Sequence, residues 1–396
     1  VPPIPPLDLT QQYQTIKDEV EEAVKRVLSS GRYIGGEEVK AFETEFGQYI
    51  GSPFCVACNS GTDALYLALQ ALDLQPGDEV ISTPFTFFAT TEVISRLGAV
   101  PVFVDIDPQT LNLDLDQVEA AITPRTRLIL PVHLFGLPLN MSRLRDLAIA
   151  HDLKIVEDCA QAIGAAWKDQ KVGSWGDIGC FSFFPTKNLG ACGDAGAIVT
   201  ADPEIAQRIR QLREHGSPER YYHSELGLNS RLDALQSAIL RIKLHHLDRW
   251  NQQRRQVADR YQAGLQSFPA LQLPQPLPDS EPVWHQYTLR VKSCAAAPRC
   301  QNSPSGDTSP CDLPNTPRCR DWLKSQLADQ GIQSMVYYPI PLHQQVVYQS
   351  QPCRFSRLPV AEQCAQEVLS LPMFPELKPE QQDQIIQALQ QLLGSS

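Results

Sequence analysis

Lys187 is the residue of this chain whose setting points most directly to chemistry. It stands in GCFSFFPTKNLGACGDAGAI, residues 179–198, where Cys180, Phe181, Phe183 and Phe184 predict a buried strand. Pro185 and Thr186 end that strand, and Lys187 follows beside Gly190, Gly193 and Gly196. A lysine held against apolar walls loses hydration, which disfavours its ammonium and frees a nucleophilic amine. Taken alone, Lys187 reads more readily as a solvated surface lysine, so its partners decide. Strand-like runs at 79–82, 101–104, 127–132 and 153–157 alternate with helical or turn-forming segments, the pattern of an α/β fold with a mostly parallel sheet. Ligands of such sheets bind beyond the carboxyl ends of the strands. The residues that follow the runs are Phe85 to Phe88, His133, and Asp158 to Gln161. Each has a plainer reading: Phe87 as core, His133 as a hydrogen-bonded structural residue, Asp158 as a helix cap.

A further piece lies in NSGTDALYLALQAL. A strand at 54–58, a polar turn at 59–62 and a helix at 63–72 present free amides and the positive end of a helix dipole, where phosphate binds. Simple capping by Ser60 or Thr62 is the alternative. Together, Lys187, Asp158, Phe87 and the Gly61–Thr62 helix start match the requirements of pyridoxal phosphate. The lysine forms an imine, and the aspartate keeps the pyridine nitrogen protonated so that the ring can take up electrons. The aromatic flanks the ring, and the helix start holds the phosphate.

The elements that must position these residues follow from periodicity. Helices are predicted at 16–28, 37–49, 203–213, 321–330 and 379–393, with a long amphipathic helix after Asn229 and Ser230 and a strand at 284–291. The 396 residues allow two or three domains, and 42% apolar residues suffice for a sizeable core. A net charge of -11 argues against nonspecific nucleic-acid binding. No apolar run approaches the roughly 18 residues of a membrane helix, and VPPIPPLDLTQQ lacks the pattern of a secretory signal. Eleven cysteines at irregular spacing make a poor disulfide framework, so a reduced, cytoplasmic protein is expected. Cys55 and Cys58 form a CxxC, but the segment reads as a buried strand; no metal site is predicted. The stretch 293–319, rich in Pro, Ser and Cys, reads as a disordered surface insertion whose cysteines Cys294, Cys300, Cys311 and Cys319 can pair under oxidation or bind a soft metal.

Beyond these residues, the motifs GRYIGGEEVKAFE, NSGTDALYLAL, TPFTFFATTEVI, PVHLFG, IVEDCAQAIGA, GCFSFFPTKNLGACGDAGAI, GLNSRLDALQSAIL and YYPIPLHQQ run in one order along nearly the whole chain. In this the sequence resembles the DegT/DnrJ/EryC1/StrS sugar aminotransferases, of the aspartate-aminotransferase fold type I. The resemblance implies a large pyridoxal phosphate-binding domain with an N-terminal arm at 1–250 and a smaller α+β domain at 251–396. It implies that Lys187 carries the cofactor as an imine and that Asp158 meets the pyridine nitrogen. Phe87 would stack on the ring, Gln161 would sit near its hydroxyl, and Gly61, Thr62 and Ser182 would hold the phosphate. Asn229 would reach the phosphate of a neighbouring subunit, making a homodimer with shared sites, while Arg231, Tyr338 and His343 would line the sugar side. The activity implied is amino transfer from L-glutamate to a nucleotide-linked keto sugar, thymidine or uridine diphosphate, by a ping-pong course in amino sugar biosynthesis. Gln161 in EDCAQ resembles the 3-keto branch. The sugar dehydratases of the family carry histidine in place of Lys187, so dehydration is the second reading; a non-catalytic sensor that keeps fold and cofactor is the third. Two features depart from the family pattern: Tyr337 stands where relatives often carry histidine, and the Cys-rich insertion at 293–319 is unusual.

Overall fold

The computed structural model describes residues 3–292 and 319–394. The insertion expected at 293–319 therefore lies outside the described residues, apart from Cys319, which is buried at the start of the helix Cys319–Asp329.

The apolar runs form one sheet of eight strands. In sheet order they are Phe54–Cys58, Gly196–Thr200, Ile178–Ser182, Lys154–Asp158, Thr126–Ile129, Glu79–Ser82, Val100–Phe103 and Arg354–Phe355. Every ladder from Ile178–Ser182 to Arg354–Phe355 is parallel, and only Gly196–Thr200 runs against its neighbours. Phe54–Cys58 consequently points the same way as Ile178–Ser182, and the carboxyl ends of seven strands share one edge. Both faces are covered, so most of these strands are buried along nearly their whole length rather than alternating. Cys55 packs with Phe42 and Phe46 on one face, while Cys58 packs with Leu65 and Ile94 on the other. The two cysteines thus point to opposite sides of the sheet and cannot share one ion.

Helices form where apolar residues recur every three or four positions. In Glu37–Ile50, Val39, Phe42, Phe46 and Ile50 are buried, Glu37 and Glu38 occupy the first turn, and Gly51, at φ 85°, ends the helix in the left-handed region that glycine enters freely. Its phenylalanines meet the strand that leads to Lys187: Phe46 lies 5.0 Å from Phe181 and 5.1 Å from Phe183, both edge to face. The helix after Asn229 runs from Ala234 to Leu265, 32 residues, straight through position 250. The sequence after it forms an antiparallel sheet of Leu271–Gln272, Tyr287–Val291 and Val368–Leu371, over a core that includes Tyr261, Leu323, Phe374 and Leu389. The strand expected at 284–291 begins at Tyr287, because the residues before it bond elsewhere: Val283 N–H to the Gly136 carbonyl and Gln286 N–H to that of Phe135. Arg354–Phe355 then returns to the edge of the large sheet, with Leu342, Tyr348 and Leu358 packed on Phe103.

Candidate active site

Two neighbouring strand ends, the loops beyond them and one helix start line a cavity of about 770 Å³. Asp158 is the last residue of its strand, Ser182 the last of the adjacent one, and Lys187 lies one tight turn beyond. That turn is held by the Lys187 N–H on the Phe184 carbonyl and the Ala191 N–H on the Phe183 carbonyl, each 2.8 Å. Part of the Lys187 surface is open to the cavity, yet the walls surround the amine. Burial lowers it to about 8, against the opposing pull of Asp158.

Asp158 is buried. Its Oδ2 accepts from the Thr90 hydroxyl at 2.8 Å and its Oδ1 from the Ala160 N–H at 3.1 Å. Burial pushes the carboxyl above its usual range, while the Ala160 amide, Thr90, Lys187 and His133 pull it back. A cationic ring nitrogen set against it would stabilise the carboxylate further.

Opposite these groups the helix Gly61–Ala71 begins. Ser60 caps it by accepting from the Asp63 N–H at 3.1 Å. The Gly61 and Thr62 amides donate to no acceptor among the described residues, and both residues line the cavity. Gly61 is required by contact: a Cβ there would sit 2.5 Å from the Ser182 Cβ. Two free amides, a dipole end and the Ser182 hydroxyl form a cradle that fits a phosphate group. With an amine of lowered proton affinity and a buried carboxylate on the same walls, the donor set fits pyridoxal phosphate. Phe87 leaves 59% of its surface open on this cavity, with the Tyr338 ring 6.5 Å away.

The remaining expected residues are distributed as follows. Gln161 lines the cavity with both amide atoms engaged: Oε1 accepts from the Phe135 N–H at 2.7 Å, and Nε2 donates to the Tyr338 hydroxyl at 3.1 Å. Arg231 lines an adjoining polar cavity of about 480 Å³ with Asp63, Asp194 and Asp233, where Ser60 and Asp194 belong to both walls; its buried Nε has no acceptor. Asn229 is exposed and lies on neither wall. His343 is also off the wall, bonded through Nε2 to Glu362 at 3.0 Å and packed on Phe355. His133, expected at the crevice, is instead fully buried beneath it. Its Nδ1 accepts from the Leu139 N–H and its Nε2 meets Glu157, whose oxygens also take the Gly173, Trp175 and Gly176 amides. Cys159 adds a thiol near this pair, but every ligand atom of His133 is already spent on protein. Sequence reasoning passed over Thr90, Asn188 and His285. Thr90 lies one helical turn after Phe87, and Asn188 directly follows Lys187; those adjacencies were the available signals.

A family model described as the DegT/DnrJ/EryC1/StrS aminotransferase family matches residues 14–302 and 308–390. The chain belongs to that family. Among curated DegT/DnrJ/EryC1/StrS-like sequences, it is 45% identical over 388 residues to a protein of Geobacillus stearothermophilus named pleiotropic regulatory protein, covering 98% of this chain and 97% of the relative. It is also 45% identical over 378 residues to the UDP-N-acetyl-3-dehydro-alpha-D-glucosamine 3-aminotransferase of Acidithiobacillus ferrooxidans, covering 96% of this chain and 95% of that one. Among solved structures, DesV of S. venezuelae, described as in complex with a ketimine intermediate, superposes with a TM-score of 0.91 at 42% identity, covering 100% of both chains. The α/β architecture is that of this aminotransferase family.

Proposed function

We propose that the chain is a pyridoxal phosphate-dependent aminotransferase that moves an amino group from L-glutamate to the 3-keto carbon of a nucleotide-linked sugar, thymidine or uridine diphosphate. The observation that carries this reading is the convergence of Lys187, Asp158 and the free Gly61 and Thr62 amides on one cavity. The relative named as a 3-aminotransferase and Gln161 in EDCAQ support the 3-position. When bound, the cofactor supplies an electron sink for the carbanion that forms as a proton leaves the substrate. Lys187 would hold the cofactor, and its free amine would carry the proton between carbons as general base and then acid. Asp158 would hold the ring nitrogen in its charged form, with Thr90 and the Ala160 amide aiming its carboxylate. Phe87 would cover the cofactor ring, Gln161 would sit near its hydroxyl, and Ser182 would join Gly61 and Thr62 in holding the phosphate. Tyr338 and the adjoining Arg231 chamber face the sugar nucleotide, while His343 is held off the cavity wall by Glu362. Donor and acceptor use one cavity in turn, which gives ping-pong kinetics.

The functional unit in this reading is a homodimer in which Asn229 completes the neighbouring subunit's phosphate site. Its support is the position of Asn229 outside its own cavity, beside Tyr221, Tyr222 and Leu226, which leave 78%, 68% and 90% of their surface open. The chain divides into units at 1–250 and 251–396, with the long helix as their junction. The setting is the cytoplasm; among the described residues, no helix is long and apolar enough to cross a membrane.

The test is direct. The purified chain should take up pyridoxal phosphate with a yellow absorbance that glutamate bleaches, releasing 2-oxoglutarate, and borohydride should fix the cofactor's mass on the Lys187 peptide. Thymidine- and uridine-diphosphate 3-keto and 4-keto sugars should then be screened for nitrogen in the product. A chain that takes up no cofactor overturns the reading. A sugar product without nitrogen supports dehydration instead. The relative named as a regulatory protein keeps a second reading in view: firm cofactor binding without exchange toward any amino donor would support a sensor.

A further inference from the structure

The Lys187 turn, the long helix and residues 283–285 meet in a buried hydrogen-bond chain. Asn188, next in sequence to Lys187, donates its two amide hydrogens to the Asn251 Oδ1 at 2.8 Å and the Val283 carbonyl at 2.9 Å. Asn251 passes the chain on, donating to the Ile163 carbonyl at 3.1 Å. With both hydrogens committed, Asn188 has only its oxygen to offer, and His285 Nδ1 lies 3.2 Å from it. Nδ1 must therefore carry the ring proton, which leaves Nε2 a bare lone pair. The backbone here is equally fixed. The buried Arg254 donates through Nη1 to the carbonyls of Trp284, His285 and Met373 at 3.1 to 3.3 Å. Burial and the positive charges of Lys187 and Arg254 hold His285 well below the usual histidine range, so the ring stays neutral.

His285 and Lys187 line the same cavity. Among the described residues, Nε2 of His285 accepts from no protein donor, and Nζ of Lys187 donates to no protein acceptor. Lys187 is also the one lysine or arginine on the described wall. The Asp158 oxygens already accept from Thr90 and Ala160.

We propose that His285 is a positioning residue for Lys187: once the lysine stem turns from the rotamer described to one that reaches across the shared cavity, the bare Nε2 accepts a hydrogen bond from the Lys187 ammonium while that amine is not joined to the cofactor. The bond gives the amine at the end of the four-carbon stem a resting place distinct from Asp158. No covalent bond changes, and the proton stays on Nζ. Asn188 and Asn251 act through His285 by keeping it in the accepting tautomer. The inference rests on Lys187 being the reactive amine.

Two measurements on the full, cofactor-free chain test it. Long-range proton–nitrogen spectra of histidine-labelled protein should show one ring with protonated Nδ1 and bare Nε2, unchanged between about pH 6 and pH 8, and absent in His285→Gln. A protonated Nε2 on that ring overturns the proposal. The second measurement is the pH dependence of reductive methylation at Lys187, read by peptide mass. Loss of the acceptor in His285→Leu should lower the inflection by about one pH unit, and His285→Gln, which keeps an acceptor oxygen, should restore most of it. An unchanged inflection in His285→Leu overturns the proposal. Should His285→Leu fail to fold, the tautomer in the unaltered chain decides. Neither measurement involves the cofactor, so failure of pyridoxal phosphate uptake would sink the aminotransferase reading, and with it the positioning role, while the hydrogen bond itself is decided by these two measurements alone.

Discussion

At the residue scale the site depends on keeping two charges under control. The Lys187 ammonium is unfavourable among apolar walls, which brings its proton affinity down to about 8. Below that pH the amine is mostly protonated and cannot attack; above it the amine is free. The rate at which cofactor-free protein captures pyridoxal phosphate should therefore climb as pH passes about 8 and level off beyond it, followed by the visible absorbance. A flat profile would show that Lys187 is ordinarily solvated. Lys187→Ala should cut transamination by about 10³-fold or more and leave the melting temperature nearly unchanged, because the cost of burying the ammonium offsets what its one proposed contact, to His285, contributes. Asp158 works by charge. Asp158→Asn keeps the shape and the Ala160 contact but loses the carboxylate, so cofactor should still bind while the glutamate half-reaction, followed by stopped-flow absorbance, slows about 10²-fold. That Lys187 and Asp158 would come together at one crevice was legible in the sequence, because Asp158 ends an apolar run and Lys187 follows another after Pro185 and Thr186. His285 was not: its tautomer depends on Asn188 and Asn251, which stand 97 and 34 positions from it (285 less 188, 285 less 251), a distance no periodicity spans.

At the element scale the decisive fit is between the first turn of Gly61–Ala71 and the end of Ile178–Ser182. Gly61→Ala puts a methyl group against the Ser182 Cβ, and neither partner is the end of a flexible chain. Either the helix start or the strand end must move, at a cost of about 1–3 kcal/mol. The phosphate cradle is made of those same atoms. Equilibrium dialysis should show pyridoxal phosphate binding weakened about tenfold or more, with the helix retained in circular dichroism; unchanged affinity would remove Gly61 from the cradle. Local signals were enough to place this junction, since a strand, a Ser60 cap and an apolar 3.6-residue repeat lie within 20 residues. They could not show that Arg354–Phe355 extends the sheet beside Val100–Phe103. A two-residue strand carries no alternation, and its place comes from Leu342, Tyr348 and Leu358 packing on Phe103. His343 owes its position to the same packing. It sits in YYPIPLHQQ beside Tyr338, yet its ring turns away from the cavity toward Glu362 and Phe355.

At the scale of the whole molecule, the question is whether one chain makes a complete site. Asn229 lies outside both cavities of its own chain, in an exposed segment with three exposed apolar side chains, an arrangement that fits a residue serving a second copy. Mixing two defective chains tests this. Lys187→Ala and Asn229→Ala homodimers should each be nearly inactive at limiting cofactor, the first without its amine and the second without its phosphate contact. In a mixed dimer, one site then takes Lys187 from the Asn229→Ala chain and Asn229 from the Lys187→Ala chain, so it is wholly native, while the other site carries both defects. Equal mixing after dissociation makes about half the dimers mixed, each with one native site of two, so about one quarter of native activity should return. If Asn229 serves its own chain, every site in the mixture keeps one defect. Activity then stays at the level of the separate variants, although sedimentation shows that the subunits have exchanged.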